Sequence, residues 1–298
     1  MKRKANSGST LLLSLWVLVL LSAVILAWAK TIDQEIRVSR ELNFGLVAKA
    51  MAHSGAAVAL HPLVSRQTPL LGNTFGDRGY RATITGEGGK LNLNWLLQGE
   101  DPNRISLLRL YLEDRGLTLE QTDALVDSML DWVGPAGLTH LNGAPEIPGY
   151  SPPHRPFASV EEVRLVRNSG PLVAQPGWQD DFTLYSLGPI DLLAAPLRVL
   201  RLLPGMGEDR AKLFLKVRQG PDGIDGTPDD HIFTGIAEIQ SVLGMNQAQF
   251  AAMGPLVGVN DPTMRIRSLG WQGNVSRQLD VVARKSGATP VIFLWQEL

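Results

Sequence analysis

Residues 1–30 read MKRKANSGSTLLLSLWVLVLLSAVILAWAK. Three cations, Lys2, Arg3 and Lys4, precede a polar spacer and Gly8, and an uncharged run then extends from Leu11 to Ala29. That run is close to the ~20 residues needed to cross a hydrocarbon core, and longer than the roughly 7–15 residues of a secretory-signal core. Read as an anchor, it leaves the basic end in the cytoplasm and everything after Lys30 outside, because cations resist translocation. Three other readings remain open on these residues alone. Ala27-Trp28-Ala29 offers an A-x-A-like cleavage site, the chain can stay uncut, or a basic leader can be removed between Gly8 and Ser9.

Working outward, the helical character does not stop at Lys30. No proline occurs before Pro62, and Ile32, Ile36, Leu42, Leu46 and Val47 recur at helical spacing. One rod from Ser9 to about His61 is the expectation, roughly 80 Å long at 1.5 Å per residue. Its first half, 9–29, belongs in the membrane, and its second, 30–61, packs on a globular head. Gly45 and Gly55 weaken it locally, each by about 1 kcal/mol relative to alanine.

The 298 residues allow an anchor and one large or two small domains. A net charge of −1 gives no overall sign of nucleic-acid binding. The chain has no cysteine, which excludes disulfides, thiol catalysis and cysteine-held metals. Beyond the rod, residues 62–79 are rich in turn formers. YRATITGEGGKLNLNWLL (80–97) reads as a hairpin turning at Glu87-Gly88-Gly89, with Tyr80, Ala82 and Ile84 alternating, then Leu91, Leu93 and Trp95. The C-terminal stretch 263–298 is also strand-like: Ile266, Leu279 and Val281 alternate, as do Val291, Phe293 and Trp295. The middle reads as helical. Thr118-x-x-Gln121 and Ser159-x-x-Glu162 have capping-box spacing, and 189–219 and 233–258 continue the helical pattern. The order of elements predicts an α+β fold, a helical block inserted into a small sheet domain.

Five segments in this order resemble the minor pseudopilin K family of type II secretion systems. They are EGGKLNLNWLL (87–97), ALVDSMLDWV with LNGAPE (124–133 and 141–146), PFASVEEVRLVRN (156–168), LPGMGEDRA (203–211) and the paired helical motif at 233–259. The resemblance implies a prepilin-type leader at 1–8, cut between Gly8 and Ser9 by a leader peptidase. It implies a pilin-like long N-terminal helix on a small antiparallel sheet (62–97 and 256–298), carrying a large inserted all-α domain (98–255). It further implies a single-pass protein of the bacterial inner membrane with its head in the periplasm. There it would sit at the pseudopilus tip, support assembly and protein export, and contact other minor pseudopilins and secreted substrates, with no enzymatic role. Most pilin-like chains carry Glu at the fifth mature residue; here that residue is Leu13, as is typical of subunit K. A minor pilin of a type IV pilus or DNA-uptake machine is a related alternative. A membrane-anchored DNA-binding protein is one of another class.

The chemistry candidates are few. GPDGIDGTPDDHIF (220–233) gathers Asp222, Asp225, Asp229 and Asp230 among glycines. Calcium takes six to eight oxygens in flexible geometry, which such a loop can supply; the spacing is not an EF-hand, and a solvated acidic turn is the alternative. The family's use of calcium favours the metal reading. The family also follows Asp-Trp with further aspartates, whereas Asp131-Trp132 leads into VGPAGLTHLNGAPEIPGYS (133–151), so no metal is expected there. The segment 197–217 resembles a helix-hairpin-helix, but Glu208 and Asp209 open its second helix, where they suit the dipole and repel phosphate. Asp127 and Asp131 share a helix face, a spacing that suits acid–base work but more commonly marks a solvated face or a structural ligand. The five histidines (53, 61, 140, 154, 231) show no metal spacing, and no nucleophile motif, P-loop or dinucleotide fingerprint is present.

Overall fold

A computed structural model describes residues 7–287 and 289–298; Lys2, Arg3 and Lys4 lie outside them. Nine helices are assigned among the described residues: α1 (Ser7–Leu60), α2 (Leu93–Leu97), α3 (Pro102–Asp114), α4 (Leu119–Val133), α5 (Gly170–Val173), α6 (Leu197–Leu200), α7 (Gly207–Arg218), α8 (Ile236–Val242) and α9 (Gln247–Met253). The strands are β1 (Gly72–Phe75), β2 (Arg78–Gly86), β3 (Leu91–Asn92), β4 (Phe182–Thr183), β5 (Ile190–Asp191), β6 (Val257–Gly258), β7 (Thr263–Gln272), β8 (Val275–Arg284) and β9 (Val291–Glu297). The result is the α+β fold expected. A long helix lies on a five-stranded antiparallel sheet of order β1-β2-β7-β8-β9, and the helical block fills the excursion between β2 and β7.

α1 runs unbroken for 54 residues. It is long and apolar enough to cross a membrane, and its apolar window is not buried within the molecule. Its C-terminal part lies across β2, β7 and β8. The contact is made by small residues: Ala48, Ala52, Ala56 and Ala59 are at most 2 % exposed. The helix approaches so closely that a Cβ at Gly270 would collide with Ala48 O and Ala52 N, and one at Gly55 would sit 2.8 Å from the Tyr80 ring. The larger apolar residues read as the amphipathic continuation do not make this contact. Ile32, Ile36, Leu42 and Leu46 are all exposed, and Val47 is half-buried; α1 first meets the sheet region near Phe44 and Gly45, beside Gly273 and Arg277.

The expected 80–97 hairpin does not form. β2 pairs with β1 on one side and β7 on the other, so no edge is left for residues 91–97. The segment 87–89 is a 3-10 turn. Leu91-Asn92 pairs in parallel with Phe182-Thr183. Asn92 then caps α2 by accepting from Trp95 N at 3.1 Å, and Leu93, Leu96 and Leu97 enter the core of the helical block. The alternation at the C-terminus divides in two. Ile266, Leu279 and Val281 are buried beneath α1, whereas Val291, Phe293 and Trp295 are exposed on the edge strand β9.

Within the block, Thr118 and Gln121 make the capping box that opens α4. Ser159-x-x-Glu162 does not: 160–165 is a 3-10 helix without a side-chain cap. Glu162 is drawn instead to Arg155, at 2.7 Å, and to Ala158 N. The stretch 189–219 is less helical than its periodicity suggests, since Ile190-Asp191 pairs with Val257-Gly258 before α6 and α7 begin.

Sheet and block meet at a buried charge cluster. Glu87 is fully buried at the exit from β2. It accepts from Arg265 Nε of β7 at 2.7 Å and from Thr183 Oγ1 of β4, and pairs with Lys90 at 3.0 Å. Arg265 also reaches Asp280 of β8. Burial alone would raise the Glu87 pKa, but Lys90 and Arg265 outweigh it and hold the carboxyl below the usual carboxylate range. Replacing Glu87 by alanine leaves half-buried Arg265 with Asp280 as its one carboxylate partner and removes the partner of Lys90, so Glu87→Ala is expected to lose about 3 kcal/mol of unfolding free energy. Urea denaturation of the detergent-solubilised chain checks this, and a loss under about 1 kcal/mol would put Glu87 with ordinary surface pairs.

Candidate functional site

Two acidic features of the helical block were legible as candidate sites, and both are used to hold loops. The first is on α4. Its amphipathic face turns Asp127 and Asp131 inward, so that they are 8 % and 2 % exposed. Asp131 accepts from His140 N at 2.9 Å, from the His140 ring at 2.7 Å and from Ala144 N at 2.7 Å. Asp127 accepts from both Asn142 N and Asn142 Nδ2 at 3.1 Å. The pair are structural ligands of the 134–144 loop rather than an acid–base couple. His140 also reaches Glu100 at 3.4 Å. Farther along the same excursion, the His154 ring donates to Gly134 O at 2.9 Å, and its other nitrogen faces Glu146 at 3.2 Å. Beside this loop is a cavity of about 610 Å³ with walls that include Trp95, Leu130, Val133 and Leu184. Of the polar groups that line it, Asn92 donates to Ser186 and Asn94 bonds Phe157.

The second feature is the 220–230 loop. The four aspartates do not converge. Asp225 turns away to a fork with Arg218, at 2.9 and 2.8 Å. Asp222 accepts from Ile224 N, Asp229 from Asp222 N and Thr227 Oγ1, and Asp230 from Gly226 N. Among the described residues, no group of three or more His, Asp or Glu side chains is placed to hold a metal ion. The donor set expected for calcium is therefore divided: one carboxylate faces a guanidinium, and the other three serve their own backbone. Sequence spacing could not reveal this, because the deciding partner, Arg218, lies outside the acidic run on α7.

The helix-hairpin-helix is present as α6, a turn and α7, with Gly205 and Gly207 at φ +70° and +59°. At the start of α7, Glu208 pairs with Lys212 at 2.7 Å and lies 3.6 Å from Arg201. Gly8 and Ser9 lie in the first turn of α1.

The segment carrying α2, α3, α4 and the Asp131-anchored loop is the informative one for comparison. Residues 89–175 match the family model described as type II secretion system (T2SS), protein K. That segment, under a third of the chain, is similar to protein K of the type II secretion system. The whole fold is similar to a chain in the crystal structure of the GspK-GspI-GspJ complex from the enterotoxigenic Escherichia coli type 2 secretion system. The TM-score is 0.60 with 12 % identity, covering 90 % of this chain and 99 % of that one. At that identity the likeness establishes the shared architecture. No curated protein matches the chain. The resemblance drawn from the five motifs is thus borne out at the level of family and fold. Sequence reading missed the alanine stripe of α1, the Glu87–Arg265 cluster and Arg218. Only the stripe had a signal, small residues at positions 48, 52, 56 and 59.

The Asp131 clamp is expected to depend on pH. Partial burial disfavours the charged His140 ring, but hydrogen bonds to Asp131 and Glu100 outweigh it and raise the pKa above its ordinary value. The folded state thus prefers protonated His140. Its contribution is complete below the unfolded value of about 6.5 and is lost as pH rises through the folded value. The melting-temperature gap between wild type and His140→Gln is expected to be wide at about pH 5.5 and to narrow by about pH 8.5. A gap independent of pH would show that the ring acts by shape alone.

Proposed function

We propose that this chain is a minor pseudopilin of a type II secretion system that stands at the tip of the periplasmic pseudopilus and supports its assembly and protein export. The observation that carries this reading is one continuous helix with two different halves. The N-terminal half is apolar and unburied, and the C-terminal half is seated by small residues on an antiparallel sheet, while the protein K segment fills the excursion between two strands of that sheet. Before assembly the helix spans the inner membrane, with the head in the periplasm; on assembly, the exposed stripe of Ile32, Ile36, Leu42 and Leu46 meets the helices of neighbouring pseudopilins. Partners of the GspI and GspJ type are supported by the complex in which the structural relative was crystallised. Secreted substrates are further partners of the head.

The tip position rests on Leu13. A carboxylate in the bilayer costs about 2.5–3.5 kcal/mol unless it is paired. A subunit with none ahead of it has no partner for that charge, so an apolar residue suits the first position. N-terminal sequencing of the mature protein is expected to begin at Ser9; a start at Lys30, or retained Met1, overturns the processing reading. Leu13→Glu is expected to abolish co-purification with the I- and J-type subunits and to reduce secretion, whereas Leu13→Ile leaves both intact. A Leu13→Glu chain that still assembles at the tip would remove the argument from charge.

A further inference from the structure

We propose that the 220–230 loop is a clasp joining the inserted helical block to the segment that leaves α1, and that the guanidinium of Arg218, not a divalent metal, is the cation that closes it. Arg218 is 4 % exposed at the C-terminus of α7. Its Nε and Nη2 grip both oxygens of Asp225, at 2.9 and 2.8 Å. Its Nη1 donates to Leu192 O and Ala195 O, at 2.9 and 2.7 Å. Gln219 Nε2 adds a third donor to Asp225 at 3.0 Å. One side chain thereby ties the loop to the stretch after β5. Burial disfavours the Asp225 carboxylate, but Arg218 outweighs it and holds the pKa below the ordinary value. A dication at this place would face a fixed positive charge about 3 Å from its best ligand, and like charges that close repel strongly in a partly buried site.

The rest of the loop is wound on itself. Gly220, Gly223 and Gly226 all have positive φ, and a Cβ at Gly220 would run into the main chain of Asp229. Asp222, Asp229 and Asp230 cap the turns so formed. The outer jaw of the clasp is the segment after α1. Gln67 Nε2 donates to Thr227 O at 2.7 Å, and the Arg66 side chain packs against Gly226, where a Cβ would stand 3.6 Å away. That jaw is itself fixed to the sheet, because Lys285 Nζ donates to Ala59 O at 3.0 Å and to Val64 O at 2.7 Å. The block is therefore held to the sheet at a second place, remote in sequence from Glu87. A force along α1 reaches the block through this contact.

The test uses the full chain in detergent micelles, with calcium chloride or chelator as the only variable, read by thermal melting and amide hydrogen exchange. The melting temperature of the wild type is expected to be the same in both conditions, and amides of 220–230 to be protected in chelator. Arg218→Gln is expected to speed exchange about tenfold in both 220–230 and 61–68, with or without calcium. Asp225→Asn should do the same to a smaller degree. If Arg218→Gln does not fold, Gln67→Ala removes only the outer contact. It should speed exchange in 61–68 and around Thr227 with little change in melting temperature. A calcium-dependent rise in the wild-type melt, or a loop protected only when calcium is added, overturns the proposal. So does unchanged exchange in 61–68 for the variant that folds.

Discussion

The chain leaves its sheet after β2 and returns at β7, and everything between depends on how that excursion is fastened. The fastening is a buried carboxylate. Glu87 is fully buried and surrounded by Arg265, Lys90 and Thr183, one from the sheet and two from the inserted block. A charge taken out of water is tolerated only where partners replace the lost hydration, so this cluster forms completely or not at all. It makes the placement of the block a condition of folding. The glycines beside it serve the same end: at Gly88 and Gly89 a Cβ would collide with Asp191, Asp261 and Ala194.

The long helix answers a different constraint. A rod that is long and apolar enough at one end to cross a membrane and seats on a sheet at the other must change its chemistry along its length. α1 does so by exchanging large apolar residues for alanine and glycine where the sheet begins. Close backbone approach then supplies the contact, and each small residue loses little side-chain entropy on burial. The large residues left in the middle of the rod are covered by nothing in the protein itself, which suits a helix with neighbours of its own kind, as proposed above.

Acidic residues of the head recur in one role. Asp127 and Asp131 hold the 134–144 loop, Asp225 is held by Arg218, and Asp191 accepts from Asp261 N. A carboxylate has about four lone-pair sites and no donors. It is therefore an efficient hub for backbone N–H groups in a chain with many turns and no disulfides. The acidity that suggests metal or catalytic chemistry in the linear sequence is largely spent on architecture.

The sequence by itself determined the features set by short-range patterns. These were the uninterrupted rod, the capping box at Thr118, the strand character of 263–284, the α+β class and, through five ordered motifs, the resemblance to the protein K family. Local propensity and spacing dictate such features wherever the chain is placed. Only the tertiary structure decided which face of the rod packs, because burial depends on where the sheet ends and not on hydropathy. It decided that residues 91–97 leave the sheet, because β2 already had partners on both edges. It also separated Asp225 from Asp222, Asp229 and Asp230, because an arginine seven residues earlier on a neighbouring helix offers a better hydrogen-bonding fork. Strand partners and helix approach are choices between groups far apart in the chain, and the Arg218–Asp225 pair, though only seven residues apart, depends on where α7 ends and the loop folds back.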